Sequence, residues 1–351
     1  MVERISTATR YAQLVADMKI NQYNFNKLTA QLSSGKKLTS ITDDPIASVN
    51  YVNTARQLGK VETFEQNVNM ATSELSALDD FMELARGYLQ TAWDKAVQAN
   101  NQTYGESSLR ALKTEVDELT KTMVDLANSE FDDNYVFAGA NTKLIPFEMS
   151  EDGYITYKGT PHDNPDYIRQ TEVADGVFEV VNTTGDKVFG YFIKEDVSRD
   201  ENGNIVTYNA DEDKYYYEDG TECTGTVTTA AEDKAEGVLG ALRTLSNSIQ
   251  MVLDGDSANG YAQMNASLDM FANAHDTILN EQTKFGGVYN RLEMSASTLE
   301  TTGDNLTSYI SDLNSVDYAS AITQWMNAQY AYQASMQVAA ASMNMSLLNY
   351  M

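Results

Sequence analysis

Residues 289–313, YNRLEMSASTLETTGDNLTSYISDL, place Leu292, Leu299, Leu306 and Leu313 seven apart, with Tyr289, Ala296 and Ile310 on the intervening positions. A seven-residue apolar repeat is the seam of a coiled coil and must bury itself against another helix. A second ladder stands at the other end, in residues 11–32, YAQLVADMKINQYNFNKLTAQL. There Tyr11, Met18, Phe25 and Leu32 recur every seven residues, with Leu14 and Leu28 between them. Most of the chain separates the two ladders, so the fold is expected to bring N- and C-terminal helices together.

Outward from the N-terminal ladder, helical spacing runs from Ile5 through Leu32, with Gly35 as a C-cap. The polar stretch Lys36 to Asp44 leads into Pro45 and a second long pattern from Val49 to Leu89. After turn-like residues Asn100 to Ser108, Leu109, Leu112, Val116, Leu119, Met123 and Leu126 mark a third helix. The texture changes at Phe131. Short aromatic and β-branched runs (Tyr135–Phe137, Tyr154–Tyr157, Val177–Val181, Val188–Ile193, Tyr215–Tyr217) alternate with turn chemistry at Glu151-Asp152-Gly153, Thr184-Gly185-Asp186, Asn202-Gly203-Asn204 and Asp219-Gly220. Helical spacing returns near Ala231. The expected fold is mainly α, with three parts. Residues 1–40 and 315–351 are terminal helices that form a coiled coil. Residues 41–139 and 235–314 form a helical bundle, and 140–234 an inserted small antiparallel β-domain.

The net charge of −27 argues against nucleic-acid binding, which needs a basic footprint. The acidity is uneven: residues 1–40 hold six Lys/Arg and two Asp/Glu, whereas residues 140–236 hold 8 and 22. An acidic middle between weakly charged ends suggests a solvent-facing insert and termini that meet other protein. The single cysteine, Cys223, excludes a disulfide framework and a CxxC metal site. No apolar run reaches membrane-spanning length and the first residues have no signal-peptide h-region, so no membrane partner is expected. By pattern the chain is cytoplasmic, or external by a route that reads no cleaved signal.

Chemical sites are weak. His162 and His275 fall in a loop and a helix, with no second ligand at metal spacing. Asp200-Glu201-Asn202-Gly203-Asn204 and Asp211-Glu212-Asp213 lack the spacing of a calcium loop and read as hairpin turns. Asp43-Asp44-Pro45 reads as a turn that caps the next helix, not as paired catalytic carboxylates. No catalytic residue, cofactor or metal is expected, and no enzyme activity.

The C-terminal tail poses a different problem. Ile322, Trp325, Tyr332, Met336, Ala339 and Met343 continue a 3–4 spacing, yet one terminal helix has at most one N-terminal partner in a monomer. A lone pair leaves apolar surface open and is marginal in water, so these ends are expected to be disordered alone and to fold on assembly. The expected assembly interface is Tyr11, Leu14, Met18, Phe25, Leu28, Leu32, Ile322, Trp325, Tyr332, Met336 and Met343. Leu292, Leu299, Leu306 and Leu313 are expected to form the seam of the bundle, because their ladder is continuous with the bundle helix.

Two motifs at opposite ends carry a resemblance. Gln31-Leu32-Ser33-Ser34-Gly35-Lys36-Lys37, followed by Thr42-Asp43-Asp44-Pro45, is similar to the N-terminal signature of flagellins and their relatives. Phe285-Gly286-Gly287-Val288-Tyr289-Asn290-Arg291-Leu292, then Leu306 and Val316-Asp317-Tyr318-Ala319, looks like the matching C-terminal pattern. The likeness covers about residues 1–139 and 235–351. Within the family, Asp133 to Thr142 with Pro146-Phe147, and the Met-rich tail from Met336 to Met351, resemble the hook-associated branch that forms the second hook–filament junction.

The resemblance implies terminal helices lining an axial tube with the bundle packed around them. It implies copies of the chain in a ring, with the first hook–filament junction protein and flagellin as neighbours. It further implies unfolded passage through the flagellar type III export channel, and a cytoplasmic export chaperone on the C-terminal helix, over about residues 315–351. The alternatives are a filament-forming flagellin, and a surface adhesin or hydrolase acting through the β insert.

Overall fold

The computed structural model describes residues 7–209, 214–219 and 221–348. Its helices are α1 (Thr7–Ser34), α2 (Pro45–Ala99), α3 (Glu106–Ala127), α4 (Gly185–Val188), α5 (Gly237–Leu253), α6 (Ser257–Asn314) and α7 (Tyr318–Leu348). The strands are β1 (Glu130–Phe131), β2 (Asn134–Tyr135), β3 (Phe147–Met149), β4 (Ile155–Tyr157), β5 (Gln170–Ala174), β6 (Val177–Val180), β7 (Tyr191–Arg199), β8 (Ile205–Asn209), β9 (Lys214–Tyr216), β10 (Glu222–Cys223) and β11 (Thr228–Glu236). The fold is mainly α with an inserted antiparallel β region, as the sequence pattern predicts. Packing divides the chain into two compact units, residues 1–64 with 297–351, and residues 65–296. The first is longer than the expected terminal segments because it includes one end each of α2 and α6.

The 65–296 unit is built on a seam that the two terminal ladders did not reveal. Along α2, Val68, Ala71, Leu75, Leu78, Met82, Ala85, Leu89, Ala92, Ala96 and Ala99 are all buried at alternating spacings of three and four. Half of these rungs are alanine. On α6, Met264, Ser267, Phe271, Ala274, Ile278, Glu281, Phe285, Val288 and Leu292 repeat the same alternation and are likewise buried. Val288 holds the rung expected of Tyr289, being 4% exposed against 41% for the tyrosine. Either residue is within helical reach of Leu292, but the spacing continued from Phe285 selects Val288. Of the expected bundle seam, Leu292 is fully buried in this unit. In the other unit Leu299 is buried and Leu306 and Leu313 are half-buried.

Helices α3 and α5 pack on one another, and Leu112, Val116 and Met123 of the first and Leu239, Leu242 and Leu245 of the second are buried. Beyond α3 the chain turns through β1 and β2, whose two-residue loop holds Asp132 and Asp133 at φ 52° and 59°. A loop of this length needs left-handed residues, which aspartate tolerates better than branched side chains. Phe137 follows into the core, edge-on to Phe189 with centroids 4.8 Å apart.

The larger sheet is antiparallel, in the order β10-β9-β8-β7-β4-β3. Strand β11 pairs along the whole of β7, from Thr228 opposite Arg199 to Glu236 opposite Tyr191. Two expectations are corrected here. Helical structure does not resume near Ala231: the strand continues to Glu236 and α5 begins at Gly237, whose φ is +63°. Pairing with β7 overrides the weak strand propensity of Ala230, Ala231 and Ala235. Thr184-Gly185-Asp186 is not a hairpin turn but opens the single helical turn α4, which also takes Val188 out of its expected strand. Strands β5 and β6 form a separate hairpin with a bulge between Glu172 and Ala174.

Candidate assembly interface

In the unit formed by residues 1–64 and 297–351, α1 and α7 pack along one seam. On α1 the half-buried positions include Leu14, Met18, Phe25, Leu28 and Leu32; on α7 they include Trp325, Ala328, Tyr332, Ser335 and Ala339, with Ala321 buried. The Phe25 ring lies 5.8 Å from Trp325 and stacks on Tyr332 at 5.9 Å. The Trp325 indole N–H donates to Thr29 Oγ1 at 2.9 Å, so this aromatic has both its apolar body and its polar tip accommodated.

The predicted interface residues therefore separate into two sets. Leu14, Met18, Phe25, Leu28, Leu32, Trp325 and Tyr332 face the seam within the chain. Ile322 and Met336 face away from it and are exposed. The side chains of Tyr11 and Met343 lie outside the described residues. Beside Ile322 and Met336 the unit exposes Val15, Ile20, Tyr23, Met326, Tyr330 and Val338, none of which stands on a heptad rung. These are the residues missed by following the seam. Their signal was an apolar residue at a helix position that the seam does not use.

The foot of the pair is closed by a small clasp. Lys36 and Ser315 form an antiparallel bridge. Lys37 N donates to Asn314 O at 2.6 Å, Val316 N to Gly35 O at 3.2 Å, and Leu38 N to Asn314 Oδ1 at 2.9 Å. Gly35 has φ +70°, and a Cβ there would meet the Tyr318 hydroxyl oxygen at 2.8 Å. The Ser34-Gly35-Lys36 motif thus ends α1 and lets the two chain ends approach.

Asp43 organises the turn into α2. Its Oδ2 accepts from the Thr39 hydroxyl at 2.8 Å and from the Thr39 and Ser40 amides at 3.1 and 2.9 Å, while Oδ1 lies 2.9 Å from Lys27 Nζ. The lysine, foremost, and these hydrogen bonds outweigh burial and hold the carboxyl down at about 2. Asp44 caps α2 through Ala47 N at 3.0 Å, with Pro45 at the first helical position. Asp317 caps α7 in the same way, through Ala319 N at 3.0 Å. Between the two helices near the clasp lies a polar cleft of about 620 Å³, lined by residues including Asn24, Lys27, Gln31, Asp312, Asp317 and Gln324.

The residues singled out for chemistry have structural partners. His162 Nδ1 lies 2.8 Å from Asp186 Oδ2 in the loop after β4, and His275 is on α6 beside Asp276. Asp200 accepts from the Asn202 and Asn204 amides, the Asn204 side chain and the Tyr217 hydroxyl. Led by the Asn204 side chain, these bonds hold it at about 2 against burial, and they close the β7–β8 turn. Residues 211–213 lie outside the described set. Among the described residues no three His, Cys, Asp or Glu gather as a metal-ligand group.

Comparison with known proteins matches both ends of the chain to one family. Residues 5–142 match the bacterial flagellin N-terminal helical region, and residues 268–351 match the bacterial flagellin C-terminal helical region. Flagellar hook-associated protein 3 of Escherichia coli K12 is 25% identical over 334 residues, covering 95% of this chain and 94% of that protein. Its namesake in Salmonella typhimurium LT2 is 30% identical over 152 residues, covering 43% of this chain and 48% of that relative. Among solved structures, flagellar hook-associated protein 3 from Legionella pneumophila superposes with TM-score 0.56 at 19% identity. That match covers 74% of this chain and 98% of that one, and establishes likeness of fold.

Proposed function

The chain belongs to the flagellin family, and from that premise we propose that it is a structural adaptor of the bacterial flagellum. It joins the hook side, through the first junction protein, to the flagellin filament. Copies pack head to tail through a heterologous contact, which propagates helically rather than closing as a dimer. Its role is mechanical and not enzymatic.

The observation that carries this reading is the outward apolar set on the terminal pair. Ile322, Met336, Ile20, Tyr23 and Tyr330 are exposed on two helices whose shared seam is elsewhere. Such a patch marks a surface that other protein covers. On this reading residues 1–40 and 315–351 form the assembly segment, ordering fully only among neighbours. Met336 and Met326 suit a surface that must adapt to unlike partners. The same stripe on α7 accounts for a chaperone that covers about residues 315–351 before export through the type III channel. Export by that route needs no cleaved hydrophobic signal.

The relatives named hook-associated protein 3 favour the junction over the filament. Deletion of the chain's gene separates the two. A junction protein's loss leaves complete hooks while flagellin monomers spill into the medium. Loss of the major secreted flagellin itself would refute the junction role.

A further inference from the structure

The 65–296 unit carries two apolar patches that its own packing leaves open. The first is the hairpin β5–β6. Of the eleven phenylalanines in the chain, all of them described, Phe178 alone is exposed, at 55%, and Val177 beside it is exposed as well. The hairpin is held firmly. Val173 is buried, Asn67 Nδ2 donates to Glu172 O at 2.8 Å, and Arg169 pairs with Glu74. Arg291 grips Glu179 through two bonds of 2.7 and 2.6 Å. A rigid exposed aromatic is the kind of residue that anchors a protein contact, since little conformational entropy remains to be lost. Residues 170–180 include Glu172, Asp175 and Glu179 and no lysine or arginine.

The second patch is a cleft of about 740 Å³ between the end of α3 and residues 143–149. Leu144, Ile145 and Met149 are exposed along it, and Lys121, Lys143 and Lys158 stand among its walls. Lys121 and Lys158 have carboxylate partners in Glu118 and Glu148, whereas Lys143 Nζ donates to a backbone carbonyl, Asp133 O. Asp125 and Glu148 line the cleft as well, and Lys143 is the lysine left to offer its charge to an incoming carboxylate.

We propose that the β5–β6 hairpin of one copy docks in this cleft of the next. Phe178 and Val177 lie on Leu144 and Ile145, and Asp175 faces Lys143. The two patches differ, so the contact is heterologous and repeats from copy to copy. A hairpin tip buries less than the roughly 1,200 Å² of a stand-alone complex, so it fixes register within an assembly and does not make free dimers. The inference rests on the head-to-tail self-association proposed above and supplies one of its contact pairs.

The test uses the full chain in a Cys223→Ser background carrying Phe178→Cys and Ile145→Cys together. Sedimented assemblies are oxidised and run without reductant. The expected result is a ladder of disulfide-linked multimers, with monomer from either single variant. Sedimented assemblies without cross-links, or cross-links closed within one chain, overturn the contact and leave the self-association standing. Chains that never assemble overturn both. Photo-cross-linking of Phe178→Cys, labelled with a thiol-linked benzophenone, to added flagellin in place of another copy gives the hairpin a different occupant and overturns the proposal. Independently, Phe178→Asp should raise the concentration needed for assembly at least tenfold with an unchanged urea midpoint. Assembly at the wild-type concentration would overturn it. Asp175→Lys should weaken assembly, and Lys143→Asp should restore it; failure of that rescue removes the charge pairing.

Discussion

Replacing Glu281 by alanine should destabilise the 65–296 unit by about 1–3 kcal/mol, chiefly the cost of leaving a buried hydroxyl without its acceptor. Glu281 sits on a seam rung between Ile278 and Phe285 and is only 5% exposed. Its Oε1 lies 2.6 Å from Lys187 Nζ, and its Oε2 accepts from the Thr183 hydroxyl at 3.0 Å. Lys284 Nζ is a weaker neighbour at 3.7 Å. Removing the carboxylate leaves the Thr183 hydroxyl, itself 2% exposed, without this acceptor, at about 1–3 kcal/mol. Lys187 is 36% exposed in its side chain and can turn to water, so its own penalty is small.

The substitutions should therefore rank. Glu281→Gln keeps an acceptor for Thr183 and should cost about half as much as Glu281→Ala. Glu281→Leu restores an apolar rung and should fall between neutral and the alanine variant. Lys187→Ala and Glu281→Ala together should cost less than their sum, by about 1 kcal/mol or more. Urea unfolding can read this unit separately, because the two tryptophans lie in different units. Trp325→Phe leaves Trp93 on α2 as the sole reporter of residues 65–296. An alanine variant within about 0.5 kcal/mol of wild type, in the range of ordinary surface substitutions, would refute the reasoning. So would strict additivity with Lys187→Ala.

Three further outcomes are expected. Asp43, 4% exposed in its side chain and held at about 2, contributes stability that is present above the unfolded value of 3.8 and lost as pH falls towards 2. Asp43→Asn should remove about 2 kcal/mol at neutral pH and flatten that acid limb, read by Trp325 fluorescence in a Trp93→Phe background. Ile322→Asp and Met336→Asp should leave urea midpoints of the monomer unchanged while abolishing sedimentable assemblies; a parallel loss of monomer stability would place these residues in a core instead. Limited proteolysis of the purified monomer should remove roughly the first and last 30–40 residues before the 65–296 unit is cut. Equal protection of both regions would contradict folding coupled to assembly.

Much of the fold was legible from periodicity. The heptads of Tyr11 to Leu32 and of Leu292 to Leu313, the breaks at Gly35 and Pro45, and the change of texture at Phe131 all express local rules of helix and turn geometry. They placed the long helices, the insert between them and the ends that must meet. The proposed assembly surface was only half legible. Trp325 and Tyr332 share a 3–4 spacing with Ile322 and Met336, but the first two face Phe25 while the others face away. Spacing alone does not say how wide a stripe one partner helix can cover.

What the amino-acid sequence determined by itself was therefore the set of elements and the periodic faces they carry, because these follow from backbone geometry within a few residues. Tertiary structure decided which of two adjacent candidates, Val288 or Tyr289, turns inward. It carried β11 to Glu236 by pairing it with β7, against the propensity of its alanines. It also made the seam position of Glu281 tolerable, by bringing Lys187 and Thr183 to it from about a hundred residues away. Such choices depend on partners distant in the chain, and a local pattern holds no record of them.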